Sequence, residues 1–173
     1  DVYKRQVLLQ AAVADIPDFT VDERELCRPG PSFTVDTLTD LRNALPHRPL
    51  VLLLGMDAFL GLPHWRDPLG VMTRCHIVVA HRPGWTPPAT GLLADWLAER
   101  GTTNPRNLAD QLAGRLLLWP VTALAISATA IRAQLVAGQN PRFLLPDSVL
   151  ALITTMGCYQ PPLTTEKQWL LSN

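Results

Sequence analysis

Net charge is the first thing the sequence lacks: fifteen Lys and Arg balance fifteen Asp and Glu, so the formal charge of the 173 residues is zero. Without an excess of either sign there is no global attraction to nucleic acid or to an anionic membrane surface, and recognition of an anion must be local. Cysteine is scarce and scattered. Cys27, Cys75 and Cys158 form no Cys-x-x-Cys pair, and none stands beside a histidine at metal-ligand spacing. That excludes a disulfide framework and points to free thiols in a reducing compartment, the cytoplasm. The four histidines, His47, His64, His76 and His81, form no His-Glu-x-x-His pattern, so no protein-held metal is expected. No apolar run is long enough to span a bilayer. The opening DVYKRQVLLQAAVAD superficially resembles a secretory signal, but Gln10 interrupts its apolar run and an αβ pattern follows it.

What is present is a chain of single-domain length with 47% hydrophobic residues, enough for a real core. Val7 to Ala14 reads as the end of a helix and Phe19 to Leu26 alternates as a strand would. After the Pro29-Gly30-Pro31 turn, Ser32 or Thr34 is placed to cap a helix whose apolar stripe is Val35, Leu38, Leu41 and Leu45. LVLLLG, residues 50–55, reads as a strand buried on both faces, which implies a parallel sheet. A short helix is expected after Asp57, then the LPHWRD loop, a strand over 76–80 and a helix over 87–100 broken by GTTNPRN. A further strand covers 115–119. It leads into LAISATAIRAQLVAG, a helix capped by Ser127 and closed by Gly138. Pro146 should open a last helix over 147–156. Strands alternating with helices specify an α/β fold, and in such folds ligands bind at the carboxyl ends of the strands.

Three stretches follow predicted strands directly: GMDAF, HRPG and ISATAIR. In the last, Ser127 and the first amides of the helix form an anion-competent start, Thr129 adds a hydroxyl, and Arg132 adds a planar cation suited to phosphate oxygens. The alternative is an ordinary capped helix with a solvated arginine. Asp57 stands where it could accept hydrogen bonds from ribose hydroxyls or cap a short helix, and Gly55 permits close backbone approach. Trp65 could stack on a planar ring or serve as satellite core. Thr34 lies at a second anion-competent helix start. Arg82 could reach a phosphate or remain solvated.

Read together and in order, RELCRPGPSFTVDTL, LLLGMDAFLGLPHW, HIVVAHRPGW, LAISATAIR and FLLPDSVLALI closely resemble the bacterial nicotinate-mononucleotide adenylyltransferases, from about Val7 to Tyr159. The resemblance implies a Rossmann-like nucleotidyltransferase fold and transfer of the adenylyl group of ATP, with Mg²⁺, to nicotinate mononucleotide in NAD synthesis. It further implies that Ser127, Thr129 and Arg132 bind the ATP phosphates, that Gly55 and Asp57 hold the nucleotide, and that Arg82 borders the ATP site. Thr34, Trp65 and the backbone at Arg66 would recognise the nicotinate ring and its carboxylate. ATP and nicotinate mononucleotide are then the expected partners, with neither nucleic acid nor membrane, and a homo-oligomer is compatible with the sequence. The alternatives are a related mononucleotide or phosphopantetheine adenylyltransferase, and a nucleotide-binding module without catalysis.

The family begins with a strand, a GGTFDP loop and an His-x-Gly-His motif. Here no histidine precedes His47 and the first glycine is Gly30, so no catalytic residue is assigned. Residues 1–6 do not fit the family pattern and are expected to be a foreign start. On this reading residues 7–159 are a nucleotidyltransferase domain lacking its first strand and helix, residues 160–173 are a loosely ordered tail, and the chain is expected to be poorly stable and inactive in adenylyl transfer.

Overall fold

The computed structural model describes residues 2–82, 84–122, 124 and 126–159. The chain divides into two compact units, one of residues 23–123 and one of residues 1–22 with 124–173.

The first unit is built on a sheet of β1 (Val51–Gly55), β2 (His76–His81), β3 (Gly101–Thr102) and β4 (Leu116–Pro120), in the order β1-β2-β4-β3. Every pairing is parallel. The α/β expectation is met, and the register explains the core. Leu52 lies opposite Ile77 and Leu54 opposite Val79, while Ile77 lies opposite Leu116. Because side chains alternate with period two, these residues share one face. Helices α2 (Thr34–Ala44), α4 (Pro68–Arg74) and α5 (Leu92–Arg100) contribute Val35, Leu38, Val71, Met72, Leu93 and Trp96 to the cluster containing that face. Between β1 and α4 lie α3 (Met56–Gly61) and a 3-10 turn (Leu62–His64), which add the fully buried Phe59 and Leu62.

Several expectations need correction. LVLLLG forms the strand, but only one of its faces is covered: Val51 is 51% and Leu53 68% exposed, on the alternate face of an edge strand. Phe19 to Leu26 forms no strand. A Leu26 N–H to Glu23 C=O bond of 2.9 Å closes a turn there, and the Thr37 hydroxyl donates to the Glu25 carboxylate. The local alternation thus has no partner strand to use it. Neither Ser32 nor Thr34 caps α2; Phe33 holds the N-cap position without a side-chain cap, and the Ser32 hydroxyl donates to the Glu25 carbonyl instead. Helix α5 begins at Leu92, after Gly91 at φ 83°, five residues later than expected. Helix α4 was not anticipated. Asp67 caps it by accepting from the Gly70 N–H at 2.8 Å, with Pro68 in the first turn. A Cβ on Gly70 would lie 1.9 Å from Asp67 Oδ2, so that cap requires glycine.

Two polar side chains brace this unit. Arg42 Nη1 donates to the carbonyls of Leu45 (3.2 Å) and Arg48 (2.7 Å), and Nη2 to those of Arg74 (2.7 Å) and Leu112 (2.8 Å). One guanidinium therefore joins the end of α2, the end of α4 and the approach to β4. The fully buried His76 uses both ring nitrogens: Nε2–H donates to the Gln111 carbonyl at 2.8 Å and Nδ1 accepts from the Arg115 N–H at 3.0 Å. A carbonyl can only accept and an amide N–H only donate, which assigns the tautomer.

In the second unit, α1 (Val2–Val13) runs without a break across Gln6 and Val7. Ser148 Oγ of α7 (Asp147–Thr155) donates to the Ala11 carbonyl at 3.1 Å, and Lys4 Nζ donates to the Met156 carbonyl at 3.4 Å. Pro146 takes the N-cap position of α7 rather than its first helical residue. Helix α6 (Ala128–Val136) starts as expected: Ser127 Oγ accepts from the Ala130 N–H at 3.1 Å. It ends at Val136, and Gly138 just beyond it closes the end: the Gly138 N–H donates to the Leu135 carbonyl at 3.0 Å, and a φ of +72° at Gly138 turns the chain so that the Gln139 N–H donates to the Gln134 carbonyl at 2.9 Å. Ile131 is buried, and Leu135 is half-buried. The tail assigned to residues 160–173 lies outside the described residues.

Candidate functional site

The carboxyl ends of β1 and β2 open onto a cavity of ≈ 690 Å³. Gly55 ends β1, Met56 to Ala58 begin α3, Ala80 and His81 end β2, and Arg82, Trp85 and Val121 complete the lining. This is the place where open parallel sheets bind ligands. The structure therefore brings together Gly55, Asp57 and Arg82, three of the residues singled out in the sequence.

Asp57 lies in the first turn of α3, yet it is not the cap: that position belongs to Gly55, with no side-chain hydrogen bond. Its exposed carboxylate makes no hydrogen bond or ion pair among the described residues and faces the cavity uncommitted. Gly55 carries no Cβ, and nothing stands within 4 Å of where one would be, so the backbone itself forms that part of the wall.

His81 and Trp85 were missed in the sequence. Their rings stand 5.7 Å apart at 44°. The His81 Nδ1–H donates to the Arg82 carbonyl at 3.0 Å, which leaves Nε2 as an acceptor. Both residues sit in the HRPGW stretch already quoted, but only their spacing around the turn, which a sequence does not display, puts them on one cavity.

A second cavity, of ≈ 230 Å³, is lined by Ser32, Phe33, Thr34, His64, Trp65 and Arg66. Here the other three candidates of this unit meet. Thr34 is the first residue of α2, where no side chain caps the helix start and the Asp36 N–H already donates to the Phe33 carbonyl at 3.0 Å, so the N–H groups of Thr34 and Val35 are those open to an anion. Trp65 is held by its N–H bond to the Leu62 carbonyl at 3.0 Å and packs partly against the core, so it is both satellite core and cavity wall. The Arg66 guanidinium lies over the Phe33 ring at 4.7 Å and 3.5 Å from Asp36 Oδ2. A cavity with two aromatic walls, a helix start and a cation suits a flat ring bearing a carboxylate. The α3 and 3-10 segment connects the two cavities, Gly55 to Ala58 lining one and His64 to Arg66 the other.

Ser127, Thr129 and Arg132 belong to the other compact unit. All three are exposed at the start of α6. Ser127 uses one of its two lone pairs on the cap and keeps its O–H to donate. Thr129 and Arg132 follow within the first turn and a half of the helix.

Buried Cys75 lies outside both cavities. Burial pushes its thiol up to about 12, against smaller opposing effects of a Leu52 backbone hydrogen bond and the Arg42 charge. A thiol in that state is not a nucleophile. Among the described residues, no three His, Cys, Asp or Glu side chains are grouped to hold a metal ion, and no helix is long and apolar enough to cross a membrane.

No protein-family profile matches the chain. Individual relatives do. A protein of Aeromonas salmonicida named "Probable nicotinate-nucleotide adenylyltransferase" is 45% identical over 157 residues, covering 91% of this chain and 73% of its own. A protein of the same name from Halorhodospira halophila is 44% identical over 159 residues, covering 92% and 73%. Among solved structures, a Vibrio parahaemolyticus protein assigned as a nicotinate-nucleotide adenylyltransferase superposes with a TM-score of 0.61 at 14% identity, over 94% of this chain and 74% of that one. A Plasmodium falciparum nicotinic acid mononucleotide adenylyltransferase complexed with APC gives a TM-score of 0.52 at 13% identity, over 79% and 62%. At such identities the structural matches speak for the fold alone.

Proposed function

The chain belongs to the nicotinate-nucleotide adenylyltransferase family, and from that premise we propose how its two cavities and the start of α6 divide the substrates between them. The family's reaction moves the adenylyl group of ATP to nicotinate mononucleotide, giving nicotinate adenine dinucleotide and pyrophosphate.

The nicotinate ring occupies the cavity of Phe33, Thr34, Trp65 and Arg66, with its face against Trp65 and its carboxylate toward the first amides of α2 and the backbone at Arg66. The nucleotide occupies the larger cavity, where Asp57 accepts from ribose hydroxyls, Gly55 lets the backbone approach and Arg82 borders the phosphates. Ser127, Thr129 and Arg132 bind the ATP phosphates through hydroxyl donors, helix amides and a fixed cation. The observation that carries this reading is the small cavity, because a helix start, an aromatic wall and a cation converge there on six residues.

The chemistry asked of the protein is mainly positioning and charge stabilisation: the phosphate of the mononucleotide attacks the α-phosphorus of ATP in line, and pyrophosphate leaves. No covalent protein nucleophile is required. Mg²⁺ accompanying ATP would supply neutralisation of the phosphate charge, beside the cation of Arg132. We place the reaction in the cytoplasm. Residues 1–173 as a polypeptide carry no His-x-Gly-His motif, so they are expected to bind both substrates without turning them over.

Titration of nicotinate mononucleotide followed by tryptophan fluorescence tests the assignment. Wild-type protein should bind, and Thr34→Ala and Trp65→Ala should each weaken binding about tenfold, the loss of one hydrogen bond or one stacked ring. Unchanged affinity in both variants would refute the site. Arg132→Ala should weaken ATP binding while leaving the unfolding midpoint where it was.

A further inference from the structure

We infer that the Arg66 side chain, and not only its backbone, is the specificity-determining group of the small cavity, exchanging Asp36 for the carboxylate of an incoming nicotinate ring. This rests on the proposed placement of nicotinate between Trp65 and the start of α2.

The guanidinium is held in position by shape and weakly by charge. It lies over Phe33, with the guanidinium carbon 4.7 Å from the ring centroid, which keeps the cation at the cavity rim. Its nearest carboxylate, Asp36 Oδ2, is 3.5 Å from Nη1, and the two side chains are 58% and 39% exposed. An ion pair so long and so wet contributes little to stability. Among the described residues the guanidinium makes no hydrogen bond, so its five N–H donors remain to be used. The structure thus presents a flat cation on an aromatic platform at the rim of a cavity, restrained by a loose partner of the chemical type that the ligand would bring.

A carboxylate arriving there can replace the 3.5 Å pair with a close, two-pronged one, and the guanidinium need not leave Phe33 to make it. A carboxamide cannot. It carries no charge, and its NH₂ would face N–H donors with no lone pair to offer. Recognition by backbone amides alone accepts the oxygen of either group, so the cation adds discrimination that the helix start does not supply. Asp36 supplies the counterpart in the empty state, keeping the guanidinium paired and near the cavity.

Nicotinate mononucleotide and nicotinamide mononucleotide, titrated into the full chain, separate the possibilities. In wild type the acid should bind at least about tenfold more tightly than the amide, the value of a charge-assisted hydrogen bond. Arg66→Met, which keeps the stem over Phe33, should abolish most of that preference by weakening the acid and sparing the amide. Arg66→Lys should recover part of it, lacking the fork. Asp36→Asn removes the competing carboxylate and should tighten the acid a few-fold with the amide unmoved. Equal weakening of acid and amide in Arg66→Met would overturn the proposal, as would a full acid preference in that variant. If wild-type protein binds neither mononucleotide, the placement of nicotinate falls and takes this inference with it; if wild type binds the acid and Arg66→Met discriminates as well as wild type, only the role of Arg66 falls.

Discussion

Replacing Arg42 with methionine removes a charged donor without removing the volume of its stem. Four carbonyls lose their partner, those of Leu45, Arg48, Arg74 and Leu112, at 2.7 to 3.2 Å. A hydrogen bond to a charged group is worth about 1.5–3 kcal/mol, but four bonds from one side chain are not additive and the exposed carbonyls can turn to water. Two of the contacts, to Leu45 and Arg74, are half-buried and cannot all be made good. The expected loss is therefore about 3–4 kcal/mol rather than the arithmetic sum. Lysine should recover less than half of it, because a single ammonium cannot reach carbonyls on both sides of the guanidinium. Urea unfolding followed by tryptophan fluorescence would report the change, Trp96 being 4% exposed in the same unit. The midpoint should fall with little change in slope. A cost below about 1 kcal/mol for methionine, or complete rescue by lysine, would refute the idea that Arg42 holds α2, α4 and the approach to β4 together.

Gly70→Ala should cost about 1–3 kcal/mol, because the new Cβ would displace Asp67 from its cap; combined with Asp67→Ala it should cost less than the sum of the two, read by a double-mutant cycle. Ser127→Ala should destabilise α6 by about 1 kcal/mol through loss of its cap, visible as faster amide exchange at Ala130, whereas exposed Thr129→Ala should leave that exchange unchanged. Exposed Cys27 should react at once with a thiol reagent at pH 8 while buried Cys75 stays protected until the chain unfolds. The Cys75 thiol, raised from 9.0 to about 12 by burial, stays protonated in the folded state over a range where the unfolded chain ionises. Its contribution to stability is thus complete below pH 9 and declines between pH 9 and 12, and Cys75→Ala should flatten that decline in alkaline unfolding.

How far the sequence discloses this fold depends on the range of the forces involved. The strands over 51–55, 76–81 and 116–120 are short apolar runs, and such runs announce parallel strands without help from distant residues, although not that one face of 51–55 stays open at a sheet edge. The Ser127 cap is equally local, a side chain three residues from its donor. Phe19 to Leu26 shows the opposite case: its alternation is that of a strand, but a strand exists only with a partner, and here turn bonds and the Glu25–Thr37 contact take its place. Helix α4 had its local signal, Asp67 followed by Pro68, hidden by a loop-like LPHWRD context. Arg42 left no trace because its acceptors are backbone carbonyls, the farthest of them seventy residues away. The site divides in the same way. Gly55, Asp57 and Arg82 were visible as residues following strands, Thr34 as opening a helix and Trp65 as a loop aromatic able to stack on a ring, and each lines a cavity. His81 and Trp85 enter through the turn after β2, and the Phe33–Arg66–Asp36 arrangement depends on a loop and a helix separated by thirty residues meeting at a side-chain level that no pattern encodes.

In the proposed complex nicotinate mononucleotide is held where α2 begins, against the turn that carries Trp65. Hydrogen–deuterium exchange of the chain with and without nicotinate mononucleotide measures this most directly, because it reports where the ligand lies as well as whether it binds. Slower exchange confined to the segments around 32–37 and 62–67 is the expected result. Binding that protects other segments and leaves those two unchanged, or no protection at saturating ligand, would rule out that placement.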